Sequence, residues 1–324
     1  MYSNEKIISI FVSQRIDVPS ELINTSLYKH VLCGAMYDNN NKRQILGDNT
    51  GINISNRSNL YGELTVQYWA WKNCAADYYG LCHYRRYLSF SEKDLTLDHF
   101  NMSRETAITQ NTLNKHMLLD EEKIRNIVVK NDIIFLKGSD CKEMLVKGGH
   151  PKNVRELWEA HDNIFIDKKY LDVLLKKIKN LKPEYYQSAL NYFNSDIHFG
   201  FNCFVMKKDL FNKLCEFQFP ILFDLEPQII SENYSGMMVR LPGYLGEILY
   251  GIFVYHLVNI EKVNYKEVPV VFFLTTTKVK NVFDYILRWL KEGGKSFVGE
   301  KTLKILPRGS RRRLFFKNIS SKIK

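Results

Sequence analysis

Short apolar runs alternate along this chain of 324 residues with longer segments in which apolar residues recur every three or four positions. The short runs have the length of buried strands, and the longer segments have the periodicity of amphipathic helices. The predicted strands lie at 7–12, 30–34, 78–84, 132–136, 200–206 and 268–273. The predicted helices lie at 60–73, 153–161, 168–180, 183–193 and 241–258, with another beginning near Lys207. This alternation favours an α/β fold with a mostly parallel central sheet flanked by helices.

Positive charge is concentrated at the end of the chain. The protein has 46 Lys and Arg residues and 35 Asp and Glu residues, which gives a net charge of +11. Residues 278–324 contain 14 of these cations but only three carboxylates, so residues 1–277 are electrically neutral. A basic groove across the body is therefore excluded, and nucleic acid is not an expected partner. We predict one domain over 1–277 and a basic amphipathic tail over 278–324.

The tail has the pattern of a segment that lies on a membrane surface. In its first part, apolar side chains recur at helical spacing and charged residues mark the other side. The apolar positions are Val282, Phe283, Ile286, Trp289 and Leu290, and the charged positions are Asp284, Arg288 and Lys291. Residues 311–317 then mix cations with aromatic side chains. Such segments bind anionic lipid. A helix docked on the body, or bound to nucleic acid, is the alternative.

Neither a secretory leader nor a membrane-spanning run is expected. The first apolar run, 7–12, is too short for a leader, and no run approaches the roughly 18–20 apolar residues that span a bilayer. The six cysteines are scattered and form no Cys-x-x-Cys pair, as is typical of a reducing compartment. These features predict a cytoplasmic protein that its tail holds at the inner face of the cytoplasmic membrane.

Two segments give the sequence a specific signature. The first is the run YGELTVQYWAWKN at 61–73, and the second is GLCHYRRY at 80–87. Supporting pieces lie at 47–55, 201–208 and 243–247. On these motifs the sequence resembles a family of bacterial capsular and exopolysaccharide glycosyltransferases long catalogued as a domain of unknown function. The resemblance covers residues 5–275.

This resemblance implies a GT-A-like fold in a single domain and transfer of a sugar from a nucleotide-sugar donor to a lipid-linked glycan. Capsular, exopolysaccharide or O-antigen biosynthesis is the expected setting. A UDP-linked donor is one expectation, because some family members are regarded as galactofuranosyltransferases. Gly62 stands where the family pattern has a cysteine, and the stretch 138–165 is less typical of the family. A non-catalytic protein of the same fold, which binds a carbohydrate or a nucleotide sugar, is the alternative.

A nucleotide-sugar donor carries a diphosphate whose negative charge must be neutralised as it leaves. Many GT-A enzymes do this with Mn²⁺ or Mg²⁺ held by an Asp-x-Asp motif, and this sequence contains none. Asp224-Leu-Glu226 is the nearest approach, but it lies in a predicted helix, where side chains two positions apart diverge. We therefore expect no obligatory metal, and Mn²⁺ or Mg²⁺ remains an alternative.

Cationic side chains follow the predicted strand 78–84 instead. His83, Arg85 and Arg86 lie at its carboxyl end, which is the edge where α/β sheets bind ligands. If the strand continues, alternation places His83 and Arg85 on one side. A guanidinium can donate two hydrogen bonds to phosphate oxygens, so we expect Arg85 or Arg86 to bind the diphosphate. The alternative is that both arginines pair with structural carboxylates such as Asp77 or Glu63.

Further donor contacts are expected from a long polar loop at 38–59 and from the helix after it. Loops of this length are usually functional, although the same residues also form turns. Glu63, at the start of the helix, is a candidate for orienting Arg85 or binding a sugar hydroxyl, or simply for stabilising the helix N-terminus. The loop candidates are Asp48, Asn49, Thr50 and Asn53.

Candidates for the acceptor side lie in two later segments. Asp196 and His198 precede the strand 200–206 and share a face if extended, where they could bind a metal or a hydroxyl. Glu247, in the 243–247 motif, could serve as a base or form a helix-terminal ion pair. We therefore name Asp196, Glu247 and His83 as catalytic candidates and His198, Asn202 and Tyr244 as acceptor-binding candidates. An inverting transferase needs such a base and a retaining one does not, and the sequence leaves both open.

Overall fold

The computed structural model describes residues 5–38 and 44–293. Residues 311–317 of the predicted tail lie outside these described residues. The described strands are β1 (Ile8–Gln14), β2 (Tyr28–Leu32), β3 (Leu46–Gly47), β4 (Tyr78–His83), β5 (Arg86–Leu88), β6 (Met102–Ala107), β7 (Ile133–Leu136), β8 (Ser139–Asp140), β9 (Ile197–His198), β10 (Phe204–Lys207), β11 (Tyr265–Val268) and β12 (Val270–Thr275). The described α-helices are α1 (Ser58–Tyr61), α2 (Leu64–Asn73), α3 (Gln110–Lys115), α4 (Glu121–Val128), α5 (Val154–Glu159), α6 (Lys169–Leu181), α7 (Tyr186–Asn194), α8 (Lys208–Ser231), α9 (Leu241–His256) and α10 (Val282–Arg288).

The central sheet has the strand order β11-β7-β10-β4-β1-β2-β3. β1 pairs in parallel with both β2 and β4, β2 with β3, and β7 with β11. β10 interrupts this pattern, because it runs antiparallel to β4 and to β7. Beside the end of β4, β12 pairs in parallel with β6 and antiparallel with β5. The predicted α/β fold with a mostly parallel sheet flanked by helices is confirmed.

β1 is buried along its whole length, as expected of a strand in the middle of a sheet that is covered on both faces. Its side chains alternate between two apolar layers. Phe11 belongs to the layer formed with α2, α8 and α9, whereas Ile10 and Val12 belong to the layer formed with α3, α4 and β12. Both layers together fix β1 and the adjacent β4, whose carboxyl ends bear the candidate site.

One helical stretch, Gly236–Glu261, is long and apolar enough by length and composition to cross a membrane. The expectation that no segment approaches that length is therefore wrong by this measure. The stretch includes α9, whose residues Leu245, Ile248 and Phe253 lie fully buried in the core. Its apolar character is thus the one expected of a core helix in a globular domain.

Local backbone conformation moves several predicted boundaries. The helix predicted at 60–73 is interrupted at Gly62, which has a φ of 56°, a conformation that favours glycine. The strand predicted at 200–206 begins only at Phe204, because Phe201 and Asn202 turn the chain with φ values of 71° and 43°. β5, β6, α3 and α4 fill the stretch between 86 and 128, for which the sequence pattern predicted no element.

Candidate functional site

A cavity of about 700 Å³ lies at the carboxyl ends of β1 and β4. Arg15, which directly follows β1, and His83, the last residue of β4, both line it. The predicted continuation of β4 does not occur, because Tyr84 and Arg85 form a tight turn that leads into β5. His83 is paired across this hairpin with Arg86. Strand alternation was expected to place His83 and Arg85 on one side of the sheet. The turn instead places both of them, together with Arg86, in the lining of the cavity.

Basic side chains outnumber acidic ones around the cavity, although the body of the protein is electrically neutral. The lining contains two carboxylates, those of Glu63 and Glu247, and one lysine, Lys147. The arginines in the lining are Arg15, Arg85, Arg86, Arg104 and Arg240. The cavity is thus locally positive, and an anionic ligand is the species that such a site attracts.

The arginines are concentrated around one aromatic ring. The guanidinium carbons of Arg85, Arg86 and Arg104 lie 4.9, 5.6 and 5.6 Å from the centre of the Phe272 ring. Arg86 also lies 5.0 Å from the ring centre of Phe201. Cation–π contacts hold the side chains in place but neutralise no charge. Arg85, Arg86 and Arg104 therefore form a preformed group of guanidinium side chains around one ring, which we call the cationic cluster.

Arg85 and Arg86 differ from the other three arginines in their partners. Those three are neutralised by carboxylates in the pairs Arg15–Asp17, Arg104–Asp98 and Arg240–Glu63. Arg85 and Arg86 have no carboxylate partner among the described residues, and the Nε of each is buried without an acceptor there. Asp77 and Glu63, the partners that a structural role would require, bind Lys6 and Arg240 instead. These two guanidinium groups are the ones left to bind an anion.

Burial and the neighbouring positive charges also lower the pKa values of two groups here, His83 and Arg85. Burial lowers the pKa of the His83 imidazole well below its usual value, and the charges of Arg86 and Arg85 lower it further. His83 is therefore neutral at pH 7, and its Nδ1 is buried without a partner in the described part of the chain. Burial likewise lowers the pKa of Arg85, and Arg86 adds to the effect. A bound anion would relieve the electrostatic part of both shifts.

Glu63 lies on the cavity wall and binds Arg240 rather than Arg85. One carboxylate oxygen accepts a hydrogen bond from Arg240 Nη2 at 3.2 Å, and the other accepts one from Asn202 Nδ2 at 3.3 Å. Asn202 is buried and is absent from the described lining of the cavity, so its side chain supports Glu63 from behind. The buried amide thus has a partner for its Nδ2, while its Oδ1 has none among the described residues.

Glu247 projects from α9 into the cavity, next to the turn before β10. Its Oε1 accepts a hydrogen bond from the backbone N–H of Phe201 at 2.9 Å. Burial raises the pKa of the Glu247 carboxyl, and the negative charge of Glu63 raises it further, while the hydrogen bond from the Phe201 N–H and the charges of Arg86 and Arg240 oppose the shift. A carboxylate that faces a cavity and whose pKa burial raises is suited to accept a proton there.

His198 is close to Glu247. A Cβ added at Gly200 would lie 2.5 Å from His198 Nε2 and 2.8 Å from Glu247 Oε1, so both atoms border the same small gap. The Tyr192 hydroxyl donates to the Phe199 carbonyl, so it can only accept from the Nδ1 of His198, 3.1 Å away. The Nε2 of His198 is then the unprotonated nitrogen. Burial lowers the pKa of His198 to about 4, which keeps the imidazole neutral and this nitrogen an acceptor.

With this geometry established, comparison with known proteins identifies the family. Residues 10–259 match the model of a domain of unknown function named DUF4422. The chain belongs to the DUF4422 family. No curated protein matches the sequence.

Among solved structures, this DUF4422 chain is similar to the apo structure of WbbM, a bifunctional glycosyltransferase. The two share 29% sequence identity with a TM-score of 0.75. The match covers 86% of this chain and 48% of WbbM, so the chain spans about half the length of that protein. The likeness supports a family related to glycosyltransferases, and it includes the fold on which the cavity is built.

Some predicted site residues of the DUF4422 chain lie outside the described lining of the cavity. Asp196 forms an ion pair with Lys142 at 2.7 Å, which lowers the pKa of Asp196.

The candidates from the polar loop also lie outside this lining. Asp48 is fully buried, where its carboxylate accepts hydrogen bonds from the backbone of Gly34 and Ala35. Thr50 accepts a hydrogen bond from Trp69, and Asn53 bonds to its own loop. Asn49 is exposed in that loop and, like the others, is absent from this lining. Asp48, Thr50 and Asn53 thus bind neighbouring protein groups in the described structure.

Other residues of the DUF4422 cavity escaped sequence reasoning. Arg15 had one usable signal, since it follows a buried strand that pairs in parallel with β4. No sequence signal pointed to the other residues, because they reach the cavity from elements far apart in the sequence. These residues are Arg104, Arg240 and Trp158.

The described residues contain no group of three His, Cys, Asp or Glu side chains that could hold a metal ion. His198 and Asp196, the pair considered for such a site, are separated, because Asp196 turns to Lys142.

Proposed function

We propose that this protein is a glycosyltransferase that moves a sugar from a nucleotide-sugar donor to the hydroxyl group of a glycan. The observation that supports this most directly is the pair Arg85 and Arg86, which lack a carboxylate partner among the described residues and line a locally positive cavity. The cavity lies at the carboxyl ends of parallel strands, and the fold is similar to that of a glycosyltransferase. A diphosphate is the anion that such a donor presents.

In this proposal the bond between the sugar C1 and the diphosphate oxygen breaks, and its electron pair leaves with the nucleoside diphosphate. Arg85 and Arg86 stabilise the negative charge that develops on the leaving oxygen. The acceptor hydroxyl oxygen forms the new bond to C1, and its proton passes to the carboxylate of Glu247. His83 remains neutral and offers Nδ1 for a hydrogen bond to the donor.

The donor and acceptor ends of the cavity meet at Phe201. Its ring lies under Arg86, and its backbone N–H binds Glu247. A single residue therefore connects the cationic cluster to the proposed base. This proximity is what transfer requires, because the acceptor oxygen must reach C1 while the diphosphate remains bound.

We further propose a GT-A-like enzyme that uses a UDP-linked donor, galactofuranose being one candidate, and a lipid-linked glycan acceptor. Capsular, exopolysaccharide or O-antigen biosynthesis is the proposed setting. The motif resemblance at 61–73 and 80–87 supports these finer assignments. A thermal-shift screen of nucleoside diphosphate sugars tests the donor, because stabilisation by one donor and not by others would name it.

We expect transfer to continue in EDTA, because guanidinium groups replace the metal at the diphosphate. The measurement is release of nucleoside diphosphate with and without EDTA, followed by addition of Mn²⁺ or Mg²⁺. Loss of activity in EDTA that Mn²⁺ or Mg²⁺ restores would contradict this assignment.

We also propose that the protein binds the inner face of the cytoplasmic membrane through α10 and the basic chain that follows it. Arg288 donates hydrogen bonds to the carbonyls of Thr277 at 2.8 Å and Lys278 at 2.9 Å, so α10 is tied to the end of β12. The apolar side chains of this segment nevertheless stay exposed, and α10 buries no residue. The exposed apolar residues are Val282, Phe283, Ile286, Leu287, Trp289 and Leu290. Exposed lysines at 278, 280 and 291 border them, which favours anionic lipid.

A full-length variant with Phe283→Glu and Trp289→Glu is expected to lose binding to phosphatidylglycerol vesicles in flotation assays. Burying each aromatic ring contributes about 2 kcal/mol, so the loss should reach about tenfold or more per side chain. Ile230→Glu is the matched control, because Ile230 is an exposed apolar residue on α8. Equal flotation of the variant and the wild type, or of a chain ending at residue 277, would contradict membrane binding by this segment.

A further inference from the structure

The cavity has a second region whose composition differs from that of the cationic cluster. Five rings that line it form an unbroken series of contacts. The series runs His198–Trp158–His161–Phe165–Tyr244, with successive ring centres 5.9, 6.2, 5.2 and 5.2 Å apart. We call these five residues the aromatic belt.

Both ends of the aromatic belt lie next to the proposed base. His198 Nε2 and Glu247 Oε1 border the same gap above Gly200. Tyr244 lies three residues before Glu247 on α9 and therefore shares its helix face. The two ends of the belt thus flank the position at which an acceptor hydroxyl would meet Glu247.

The belt also contains a hydrogen-bond donor that is not satisfied in the described structure. The Nε1 of Trp158 is buried and has no partner among the described residues. Only 6% of Trp158 is exposed, and the residue lines the cavity. An unpaired buried N–H is costly, and the indole of a buried tryptophan usually finds an acceptor.

We propose that the aromatic belt is the binding site for the sugar residue of the acceptor, and that Trp158 Nε1 donates a hydrogen bond to one of its hydroxyls. A sugar ring suits this surface, because it presents C–H groups to the aromatic faces and hydroxyl oxygens to the indole N–H. The sugar's reacting hydroxyl then faces Glu247, and His198 Nε2 accepts a hydrogen bond from it or from its neighbour.

This assignment rests on the proposed glycosyltransferase function and makes Trp158 a residue that determines acceptor specificity. A site built to bind a hydroxyl discriminates strongly against a sugar that lacks it, because the buried donor then stays unpaired. Three of the five belt residues lie at 158–165, within the stretch 138–165 that is less typical of the family that the sequence resembles. Acceptor choice is therefore expected to depend on this segment and donor choice on the hairpin after β4.

The test uses the four tryptophans of the chain as reporters. In the full-length protein labelled with ¹⁵N-tryptophan, each indole N–H gives one NMR signal, and Trp158→Phe identifies the signal of Trp158. Methyl galactosides, glucosides and mannosides are titrated in the presence of UDP, with UDP alone as the reference. We expect at least one glycoside to move the Trp158 signal more than UDP does.

Trp158→Phe keeps an aromatic ring in the belt but removes the N–H. It should weaken binding of that glycoside by about tenfold or more, as loss of one hydrogen bond from a buried donor does, with UDP affinity unchanged. Trp71→Phe is the matched control, because Trp71 packs on Phe219 outside the described cavity lining. UDP binding without any glycoside response, or unchanged glycoside affinity in Trp158→Phe, would overturn the subsite and leave the proposed function standing. Absence of any nucleotide-sugar binding or turnover would count against the proposed function itself.

Discussion

A variant in which Arg85 and Arg86 are both replaced by alanine is expected to bind nucleoside diphosphate about 10²- to 10⁴-fold more weakly than the wild type. Each guanidinium supplies charge-assisted hydrogen bonds to phosphate oxygens, worth about 1.5–3 kcal/mol apiece. Calorimetry with UDP, GDP and dTDP measures the loss. Transfer should fall at least as far, because the charge on the leaving oxygen is greatest in the transition state.

The same double variant is expected to keep its melting temperature. Neither arginine has a carboxylate partner in the described structure, so their removal leaves no buried acid unpaired. The lost contacts with Phe201 and Phe272 are offset by relief of repulsion within the cationic cluster. A structural role predicts the opposite pattern, with a lower melting temperature and unchanged nucleotide affinity, and that result would remove the arginines from the site.

Two further variants separate charge from geometry. Arg86→Lys keeps the positive charge but loses the planar fork, so we expect an affinity between those of the wild type and Arg86→Ala. Arg155→Ala removes a surface arginine that binds Glu159 and Asp172, each at 2.8 Å. It should leave nucleotide binding unchanged, because Arg155 lies outside the described lining of the cavity.

The sequence pattern predicted the part of the site that depends on local order. The stretch at 78–84 is largely apolar, so it was predicted as a buried strand, and the residues after it were expected at the sheet edge. That reasoning places His83, Arg85 and Arg86 at the cavity even though the strand turns at Tyr84. An error of one residue in the strand end did not matter, because a tight hairpin keeps consecutive side chains at the same edge.

The rest of the site depends on packing between distant segments, which no local pattern encodes. Arg240 reaches the cavity because α9 packs against α1, and Trp158 reaches it from α5. Asp48 illustrates the opposite error, because it was predicted to contact the donor and instead binds backbone N–H groups. A carboxylate in a polar loop has the same sequence pattern in either case. Only the partners in three dimensions distinguish these cases.

The choice between the carboxylates Asp196 and Glu247 was likewise beyond the sequence. Both lie in segments that the sequence pattern linked to the acceptor, Asp196 before the strand predicted at 200–206 and Glu247 in the 243–247 motif. The structure separates them through their environments. Asp196 is ion-paired with Lys142, which lowers its pKa, while burial raises the pKa of Glu247 in the cavity.

Glu247→Gln is expected to reduce transfer by about 10²- to 10⁴-fold, the usual contribution of a general base, while nucleotide affinity stays near that of the wild type. The amide oxygen of glutamine can still accept the hydrogen bond from the Phe201 N–H, so the turn before β10 should be preserved. Loss of rate without loss of donor binding is the signature of a group that acts on the acceptor proton.

The pH dependence gives an independent measurement of the same group. Because the base must be ionised, the wild-type rate should fall as pH drops through the pKa of Glu247, which burial raises above the usual value for a carboxyl group. In Glu247→Gln the residual rate should lose that acidic limb. Asp196→Asn is the competing variant, since Asp196 lies on Lys142 outside the described cavity lining. If Asp196→Asn abolishes transfer and removes the acidic limb while Glu247→Gln does neither, the base is Asp196, and the turn must rearrange when the acceptor binds.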